Sequence, residues 1–271
     1  MQSRIGIIGC GNMGRALIDF LMKKGVSATD IRFAETDDSR AADIVKTIGI
    51  ARAESPSRLA AWGDLIILAV KPQSFPTLAQ ALSPLAADII VVSIMAGITI
   101  ENLCQQLGTD QAIRVMPNLA LRHNSLIGGF AFGPSVEPGG KDLFMSLFAD
   151  ESAFFEVEER QLDTITALSG SGPAFLASAA EAMIQASVAQ GMDGEQATVL
   201  ALRTMESTAA LLLAEGIGPA ELIDQVASKG GTTEAGLATL EAGDVSGHMR
   251  KAIDAAVARS RELSSNTGDR R

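Results

Sequence analysis

The sequence predicts an α/β domain with a mainly parallel sheet, followed by an all-α domain. Short apolar runs alternate with helical patterns through roughly the first 158 residues, which is the order of elements in a parallel sheet covered by helices. A glycine-rich turn joins the first of these runs to the first helical pattern. After residue 158 only helical patterns follow. We therefore expect two domains, residues 1–158 and residues 159–271.

The first strand, helix and second strand carry the signature of a dinucleotide site. Residues 4–8 form an apolar strand-like run, and residues 9–14 read Gly-Cys-Gly-Asn-Met-Gly before a helical pattern. The second strand, residues 31–35, ends on Glu35, about 20 residues after the last glycine. Such glycines allow a tight turn, close approach of a pyrophosphate and packing of the helix on the strand. The pattern favours a Rossmann-type dinucleotide-binding domain over a purely structural glycine turn.

Glu35 bears on which cofactor fits. A carboxylate at this position accepts hydrogen bonds from a ribose 2′-hydroxyl and repels a 2′-phosphate. Thr36, Ser39 and Arg40 follow it and are able to bind a phosphate, so use of both NAD and NADP stays open. The sequence favours NAD.

Further apolar runs continue the predicted sheet. Residues 65–70, 88–93 and 112–116 are strand-like, and edge strands are expected at 127–132 and 153–157. Ligands bind outside the carboxyl ends of parallel strands, so the residues that follow these runs share a rim with the glycine loop. Ordinary turn chemistry is the alternative for each. The rim residues expected to line the cofactor are Ala69, Val70, Lys71, Pro72, Met95, Ala96, Gly97 and Asn118.

Composition argues against several classes of function. A formal net charge of −10 argues against a nucleic-acid surface and against binding to anionic lipid. The longest uninterrupted apolar runs are far too short to span a bilayer, and a strand-like run by Ile5 leaves no room for a signal peptide. Cys10 and Cys104 lie far apart without a histidine cluster, which predicts reduced thiols and no metal site. A cytoplasmic protein is expected.

Two of the helical patterns after residue 158 are apolar on nearly all sides. Residues 173–191 begin at Pro173, which suits a first helical turn, and residues 197–213 behave in the same way. Helices of this kind must be buried all round, and a domain of about a hundred residues has too little interior to bury them. We expect a second subunit to cover them, which makes the chain a homodimer at least.

Residues 228–234 read Ser-Lys-Gly-Gly-Thr-Thr-Glu between two helical patterns. Gly230 and Gly231 allow a tight turn with exposed amides, and Thr232 and Thr233 stand where the next helix begins. Unpaired N–H groups at a helix N-terminus attract an anion. The alternative is a helix–helix turn with a threonine N-cap.

Five motifs together resemble the pyrroline-5-carboxylate reductase family. They are the glycine loop at 6–14, Ala-Val-Lys-Pro-Gln at 69–73, Gly-Ser-Gly-Pro-Ala at 170–174, the 228–234 segment and Arg-Ser-Arg-Glu-Leu at 259–263. The third and fourth are specific to that family at their mutual spacing; the Rossmann part is not. The resemblance implies NAD(P)H-dependent reduction of 1-pyrroline-5-carboxylate to L-proline, the last step of proline biosynthesis. It also implies an all-α dimerisation domain, and dimers that often assemble into rings.

By position, the resemblance assigns residues to three groups. It implies that the cofactor phosphates and ribose are held by Ile8, Gly9, Cys10, Gly11, Asn12, Met13, Ala69, Val70, Lys71 and Pro72. It implies that the nicotinamide side is flanked by Met95, Ala96, Gly97 and Asn118, with Gln225 near the cofactor. The implied substrate pocket contains Glu159, Ser228, Thr232 and Thr233.

Hydride transfer to such an imine requires positioning more than acid–base chemistry. A protonated iminium is already electrophilic, and holding two reactants in place is worth on the order of 7–11 kcal/mol. We expect the amides of residues 230–233 to bind the substrate carboxylate, and the Thr233 hydroxyl to act in catalysis by orienting the imine nitrogen. Glu159 and Glu181 are the two carboxylates that we consider as proton donors. The alternative for Glu159 is a solvent-exposed position, and the alternative for Glu181 is an interhelical salt bridge.

Two departures from the family pattern leave alternatives open. Lys229 stands where the family usually has proline, and residues 119–124 replace a Thr-Pro-Ala sequence with its glycine-rich turn. The second change leaves a related cyclic imine carboxylate open as the substrate. A β-hydroxyacid dehydrogenase relative would need a lysine within residues 173–190, which contain none. A non-catalytic dinucleotide-sensing dimer is the alternative from another class.

Overall fold

The computed structural model describes residues 3–123, 125–148 and 153–265. Contacts divide the chain into two compact units: the first contains residues up to Gly170 together with those from Ala256 onward, and the second contains Ser171–Ala255. The strands lie in the first unit, and the second is helical. The predicted fold class, an α/β part followed by an all-α part, is confirmed. The domain boundary expected near residue 158 stays a prediction.

One eight-stranded sheet organises the first unit. Its strands are β1 (Ile5–Ile8), β2 (Ile31–Ala34), β3 (Ala51–Arg52), β4 (Leu65–Leu68), β5 (Ile90–Ser93), β6 (Ala112–Pro117), β7 (Ile127–Phe132) and β8 (Ala153–Glu156). The order is β3-β2-β1-β4-β5-β6-β7-β8, and every neighbouring pair is parallel except β6 with β7. The sheet is mainly parallel, as predicted. β7 is not an edge strand, because β8 pairs with it.

Helices cover both faces of this sheet. They are α1 (Asn12–Lys23), α2 (Asp38–Ile48), α3 (Pro56–Trp62), α4 (Phe75–Leu82), α5 (Ile100–Leu107), α6 (Pro138–Phe148) and α7 (Leu162–Ile165). Successive residues of a strand point to opposite faces, so Leu65 and Ile67 of β4 join one buried cluster, and Ile66 and Leu68 join another. A strand that is buried on both faces has to be apolar throughout, which explains the continuous apolar runs in the sequence.

The second unit consists of helices. They are α8 (Gly172–Ala189), α9 (Gly194–Glu215), α10 (Pro219–Val226), α11 (Thr232–Ala242) and the first part of α12 (Val245–Ser265). A π-helical turn, Thr166–Ser171, precedes α8. Between the end of α11 at Ala242 and the start of α12 at Val245, Asp244 has a φ of 48°.

Large apolar side chains of α8 and α9 are exposed within the single chain. Leu176 is 57% exposed, Met183 46% and Leu200 55%. By length and composition α9 is also apolar enough to cross a membrane, which the count of uninterrupted apolar runs did not detect. Surfaces of this kind need a covering.

Candidate functional site

The glycine loop between β1 and α1 uses its three glycines in different ways. Gly9 has a φ of +90°, a left-handed conformation that favours glycine. A Cβ on Gly14 would lie 2.0 Å from the Gly9 carbonyl oxygen, so only glycine allows this packing of α1 on the loop. A Cβ on Gly11 would meet no protein atom within 4 Å. Conformation and packing therefore explain Gly9 and Gly14, whereas Gly11 occupies the position at which the dinucleotide motif lets a pyrophosphate approach.

The loop opens onto a cleft of about 1320 Å³ at the carboxyl ends of β1, β2 and β4. No side chain caps the N-terminus of α1 among the described residues, so its first amides are available to an anion. Ten residues expected to bind the cofactor line this cleft: Ile8, Gly9, Cys10, Gly11, Asn12, Glu35, Thr36, Ala69, Val70 and Lys71. The structure thus brings together most of the predicted phosphate and ribose side.

Glu35 follows the carboxyl end of β2, where its carboxylate accepts hydrogen bonds from several donors. Its Oε2 accepts the Cys10 N–H at 2.8 Å and Arg40 Nη1 at 3.0 Å, and its Oε1 accepts the Asp37 N–H at 2.9 Å. The Thr36 hydroxyl lies 3.4 Å from Oε1. Burial acts to raise the pKa of Glu35, but the amides of Asp37 and Cys10 and the Arg40 guanidinium outweigh it and hold the pKa below its ordinary value. Glu35 is therefore ionised at neutral pH.

Arginines supply much of the remaining polar lining. Arg15, Arg52 and Arg122 line the cleft, and the sequence interpretation did not include them. Arg15 is paired with Asp43 at 3.0 Å, and Arg52 donates to the Glu35 carbonyl at 2.7 Å. No short motif marks these positions, because each reaches the cleft from a different element. The cleft thus combines cations with an ionised carboxylate.

Several predicted cofactor residues are absent from the lining of this cleft. Among the described residues these are Met13, Pro72, Met95, Ala96, Gly97 and Asn118, while Gln225 lies on α10 in the second unit. Met13 packs against the core of the first unit. The Asn118 Oδ1 accepts the Ala120 N–H at 2.9 Å. Their roles toward the cofactor stay predictions.

Residues 95–97 form a rim segment that is tightly packed. Met95 is 1% exposed, and its N–H donates to Ser93 Oγ at 3.2 Å. Gly97 has a φ of +77°, and a Cβ there would lie 2.9 Å from Leu263 Cβ on α12. The glycine is required both by its conformation and by this contact.

Arg114 on β6 is a buried charge that sequence reasoning missed. Its side chain is 2% exposed, Nη1 donates to Glu159 Oε1 at 3.2 Å, and Nη2 lies 3.8 Å from Asp163 Oδ1. Asp163 Oδ1 in turn accepts Ser260 Oγ–H at 2.7 Å. The available signal was a single charge inside the apolar run 112–116.

Glu159, expected in the substrate pocket, has partners within the first unit. Its Oε1 also accepts the Ile100 N–H at 2.8 Å, at the start of α5. The side chain is 32% exposed, so part of the carboxylate remains accessible. A role in substrate binding stays a prediction. Glu181, the other carboxylate considered, accepts Gln185 Nε2–H at 2.7 Å on the same helix.

The predicted substrate loop, residues 228–233, lies at the start of α11. Gly230 has a φ of +73°, its N–H donates to Glu234 Oε2, and the Gly231 N–H donates to the Ser228 carbonyl at 3.0 Å. Gly231 is the N-cap residue, and no side chain caps the helix there among the described residues. The amides of Thr232 and Thr233 in the first turn are therefore the ones left to an anion.

The two cysteines show no sign of reactivity. Burial, with the neighbouring Glu35 carboxylate, raises the pKa of the Cys10 thiol to about 12. Burial also raises the pKa of Cys104. Both thiols are protonated at neutral pH and poorly nucleophilic. Within the described ranges no group of three or more His, Cys, Asp or Glu side chains is placed to hold a metal ion.

Comparison with known proteins agrees with this arrangement in both halves of the chain. The family described as "Pyrroline-5-carboxylate reductase dimerisation" matches residues 159–263, and "NADP oxidoreductase coenzyme F420-dependent" matches residues 4–97. The pyrroline-5-carboxylate reductase of Methanosarcina acetivorans is 35% identical over 269 residues, covering 97% of this chain and 98% of its own. The enzyme of that name from Pseudomonas aeruginosa is 35% identical over 268 residues, covering 98% of each.

The chain belongs to the pyrroline-5-carboxylate reductase family.

A solved structure supports the same assignment at the level of the fold. The pyrroline-5-carboxylate reductase of Coxiella burnetii superposes with a TM-score of 0.87 at 29% identity, over 97% of this chain and 99% of that one. The resemblance inferred from the motifs is therefore confirmed over nearly the whole chain. The dimerisation description applies to the region that contains α8 to α11, whose apolar side chains are exposed in the single chain. This supports the expected oligomer.

Proposed function

We propose that this protein reduces 1-pyrroline-5-carboxylate to L-proline with NAD(P)H, the last step of proline biosynthesis. The observation that carries the proposal is the family match, which spans both the cleft of the first unit and the α11 loop of the second. When bound, the reduced nicotinamide supplies the hydride to the imine carbon. The work left to the protein is to hold and orient the two reactants.

The cofactor is proposed to bind along the cleft of the first unit. The amides at the start of α1 suit a pyrophosphate, and the open position at Gly11 lets it approach. Ala69, Val70 and Lys71 also line this cleft. The nicotinamide is proposed to bind beside residues 95–97 and Asn118.

NADH is the proposed preferred coenzyme, with NADPH also used. The ionised Glu35 repels a 2′-phosphate. Two guanidinium groups that contact Glu35 are already paired with carboxylates: Arg40 with Glu35 itself, and Arg52 with Asp38 at 2.8 Å. The dissociation constants of NADH and NADPH, measured by the fluorescence of the reduced nicotinamide, test this preference. Tighter binding of NADPH would contradict it.

The substrate carboxylate is proposed to bind the Thr232 and Thr233 amides, and the Thr233 hydroxyl to orient the imine nitrogen. Thr233→Ala should lower kcat/KM for the imine by about 10²-fold, because orientation of the reacting atom is lost, while the Kd of NADH stays within about twofold. Thr239→Ala on the exposed face of the same helix is the matched control, and it should leave both quantities unchanged. Unchanged turnover in Thr233→Ala would remove this assignment.

The proposed assembly is a homodimer at least, with a ring of dimers as the further possibility to test. The proposed location is the cytoplasm. Sedimentation velocity over a dilution series distinguishes monomer, dimer and ring, and a folded active monomer would contradict the proposal.

Substrate identity is tested by an initial-rate assay with NADH and NADPH side by side. Oxidation of coenzyme that depends on 1-pyrroline-5-carboxylate is expected. If the protein reduces a cyclic imine carboxylate of another ring size faster than 1-pyrroline-5-carboxylate, that analogue becomes the proposed substrate. The changed 119–124 segment allows this outcome.

A further inference from the structure

The rim segment, residues 95–97, is attached to the rest of the first unit on two sides. On one side α5 begins at Ile100, whose N–H is bound by Glu159 Oε1 at 2.8 Å. On the other side Gly97 packs on Leu263 so closely that a Cβ on Gly97 would lie 2.9 Å from Leu263 Cβ. The position of the segment therefore depends on Glu159 and on the end of α12.

Both attachments lead to the same guanidinium group. Arg114 Nη1 donates to Glu159 Oε1 at 3.2 Å, which connects it to the Ile100 attachment. Arg114 Nη2 lies 3.8 Å from Asp163 Oδ1, and that oxygen accepts Ser260 Oγ–H at 2.7 Å. Ser260 and Leu263 are three residues apart on α12 and so lie on one face of the helix. The second attachment is thus fixed through Asp163.

Stability alone does not require an arginine in this position. Arg114 is 2% exposed, and a well-packed apolar side chain in place of a buried ion pair is often equally stable or more stable. An arginine is distinguished by its planar fork, which reaches two carboxylates in fixed directions at once; a lysine is a single point charge on a flexible stem. Nη1 and Nη2 face different carboxylates: Nη1 donates a hydrogen bond to Glu159, whereas Nη2 has no hydrogen-bond partner among the described residues and faces Asp163 as an ion pair at 3.8 Å.

We propose that Arg114 is a positioning residue for hydride transfer, acting through Glu159 on one side and through Asp163 and Ser260 on the other. It sets the rim segment that is proposed to flank the nicotinamide, without itself touching either reactant. The inference rests on the proposed function. Loss of Arg114 leaves the phosphate side of the cleft intact and misplaces the rim segment.

The test uses Arg114→Met, Arg114→Lys and Ser260→Ala in the full chain. Arg114→Met should lower kcat by about 10²-fold, since a small displacement of a reactant has this effect, while the Kd of NADH stays within about threefold. Arg114→Lys should recover less than about a tenth of the lost rate, because one ammonium does not bridge both carboxylates. Ser260→Ala should lower kcat by about threefold, as it removes one link only.

Two readouts separate positioning from a loss of folded protein. The kinetic isotope effect with NADH deuterated at the transferred position should increase in Arg114→Met, because hydride transfer then limits turnover. Hydrogen exchange of the peptide covering residues 95–107, measured without substrate, should speed up at least about tenfold. Arg160→Ala, which removes the exposed pair with Glu158 in the neighbouring turn, should change neither quantity.

The outcomes are distinguishable from failure of the proposed function. A wild-type protein that does not reduce the imine refutes the function, and the exchange measurement then still tests the link from Arg114 to the rim segment. If the wild type is active and Arg114→Met has the same kcat per folded site, the inference is overturned. A fall in kcat with an unchanged isotope effect and unchanged exchange overturns it as well. If Arg114→Met does not fold, Ser260→Ala decides by the same two readouts.

Discussion

The two compact units differ in how much of their apolar surface they bury. The sheet unit buries its central strands: Ile5, Ile7 and Leu65 are 0% exposed. In the helical unit, only Ala180, Ala197 and Ala201 are buried among the apolar residues of the described part of the chain. Both units are rich in apolar residues, so composition does not cause the difference. The sheet closes a core within one chain, and the helices do not.

This difference indicates what each unit needs in order to be stable. A sheet covered by helices on both faces removes apolar side chains from water without help. Helices that expose Leu176, Leu200 and Leu213 leave the same side chains in water until another surface covers them. The family description of this region as a dimerisation domain supports the proposal that a second copy of the chain provides that surface.

The largest expected effect follows from a charge placed on the helical surface. Leu200→Asp, at a side chain 55% exposed on α9, should weaken the proposed dimer by about 10⁴-fold or more, because association would bury an unpaired carboxylate on each copy. Val45→Asp on α2, at a side chain 45% exposed, is the matched control and should leave the dimer unchanged. Sedimentation equilibrium measures both. Equal behaviour of the two variants would contradict the contrast between the units.

A core substitution in the sheet unit should act without the partner. Phe144→Ala removes a fully buried ring that packs on Phe130 and Phe148, which should lower the free energy of unfolding by about 3–5 kcal/mol. Urea unfolding followed at two protein concentrations checks this. The loss should be the same at both concentrations. A loss that disappears at high concentration would mean that this unit also depends on association.

Substitution of glycines in the loop should separate ligand approach from folding. Gly11→Ala places a methyl group where no protein atom lies, so the melting temperature should hold while the Kd of NADH rises about tenfold. Gly139→Ala, which also meets no atom within 4 Å, is the control and should leave the Kd of NADH unchanged. Gly14→Ala should instead destabilise the fold, because its Cβ collides with the Gly9 carbonyl. Unchanged NADH binding in Gly11→Ala would remove the ligand explanation.

The smallest expected effect concerns the pH dependence of the Glu35 network. The folded-state pKa of Glu35 lies below its ordinary value of 4.5, so its ionised form stabilises the fold above that pH, and this stabilisation is lost as pH falls through the folded pKa. Glu35→Gln should lower the free energy of unfolding by about 1 kcal/mol at neutral pH. The difference from wild type should shrink below about pH 4.5. A difference that grows in acid would contradict the assigned direction of the pKa.

The fold and the conformation of the glycine loop were predictable because local rules determine them. Alternation of strands and helices predicts a parallel sheet, and the strand–glycine–helix pattern predicts the loop from Gly9 to Gly14. The same rule placed Met95 and Gly97 on the rim, but it does not give burial, and both residues are packed under their neighbours. The neighbouring sequence shows that a residue lies at the end of a strand, but it does not show whether its side chain is buried.

The buried charges were not predictable from the sequence. Arg114 finds its carboxylates on Glu159 and Asp163, and the hydroxyl that completes the network comes from Ser260 near the other end of the chain. No periodicity links residues that are so far apart in the sequence. A charge inside an apolar strand departs from the pattern, but the pattern does not identify its partners. The capping of Gly230 by Glu234 is closer in sequence, but it depends on the turn that Gly230 forms.

Transfer of deuterium from NADH to proline is the direct test of the proposed reaction. The purified protein is incubated with 1-pyrroline-5-carboxylate and NADH carrying deuterium at the transferred position, and the product is analysed by mass spectrometry. The expected product is L-proline with one deuterium on the former imine carbon, formed in equal amount to the NADH consumed. Coenzyme binding by a folded dimer that yields no labelled proline would contradict it.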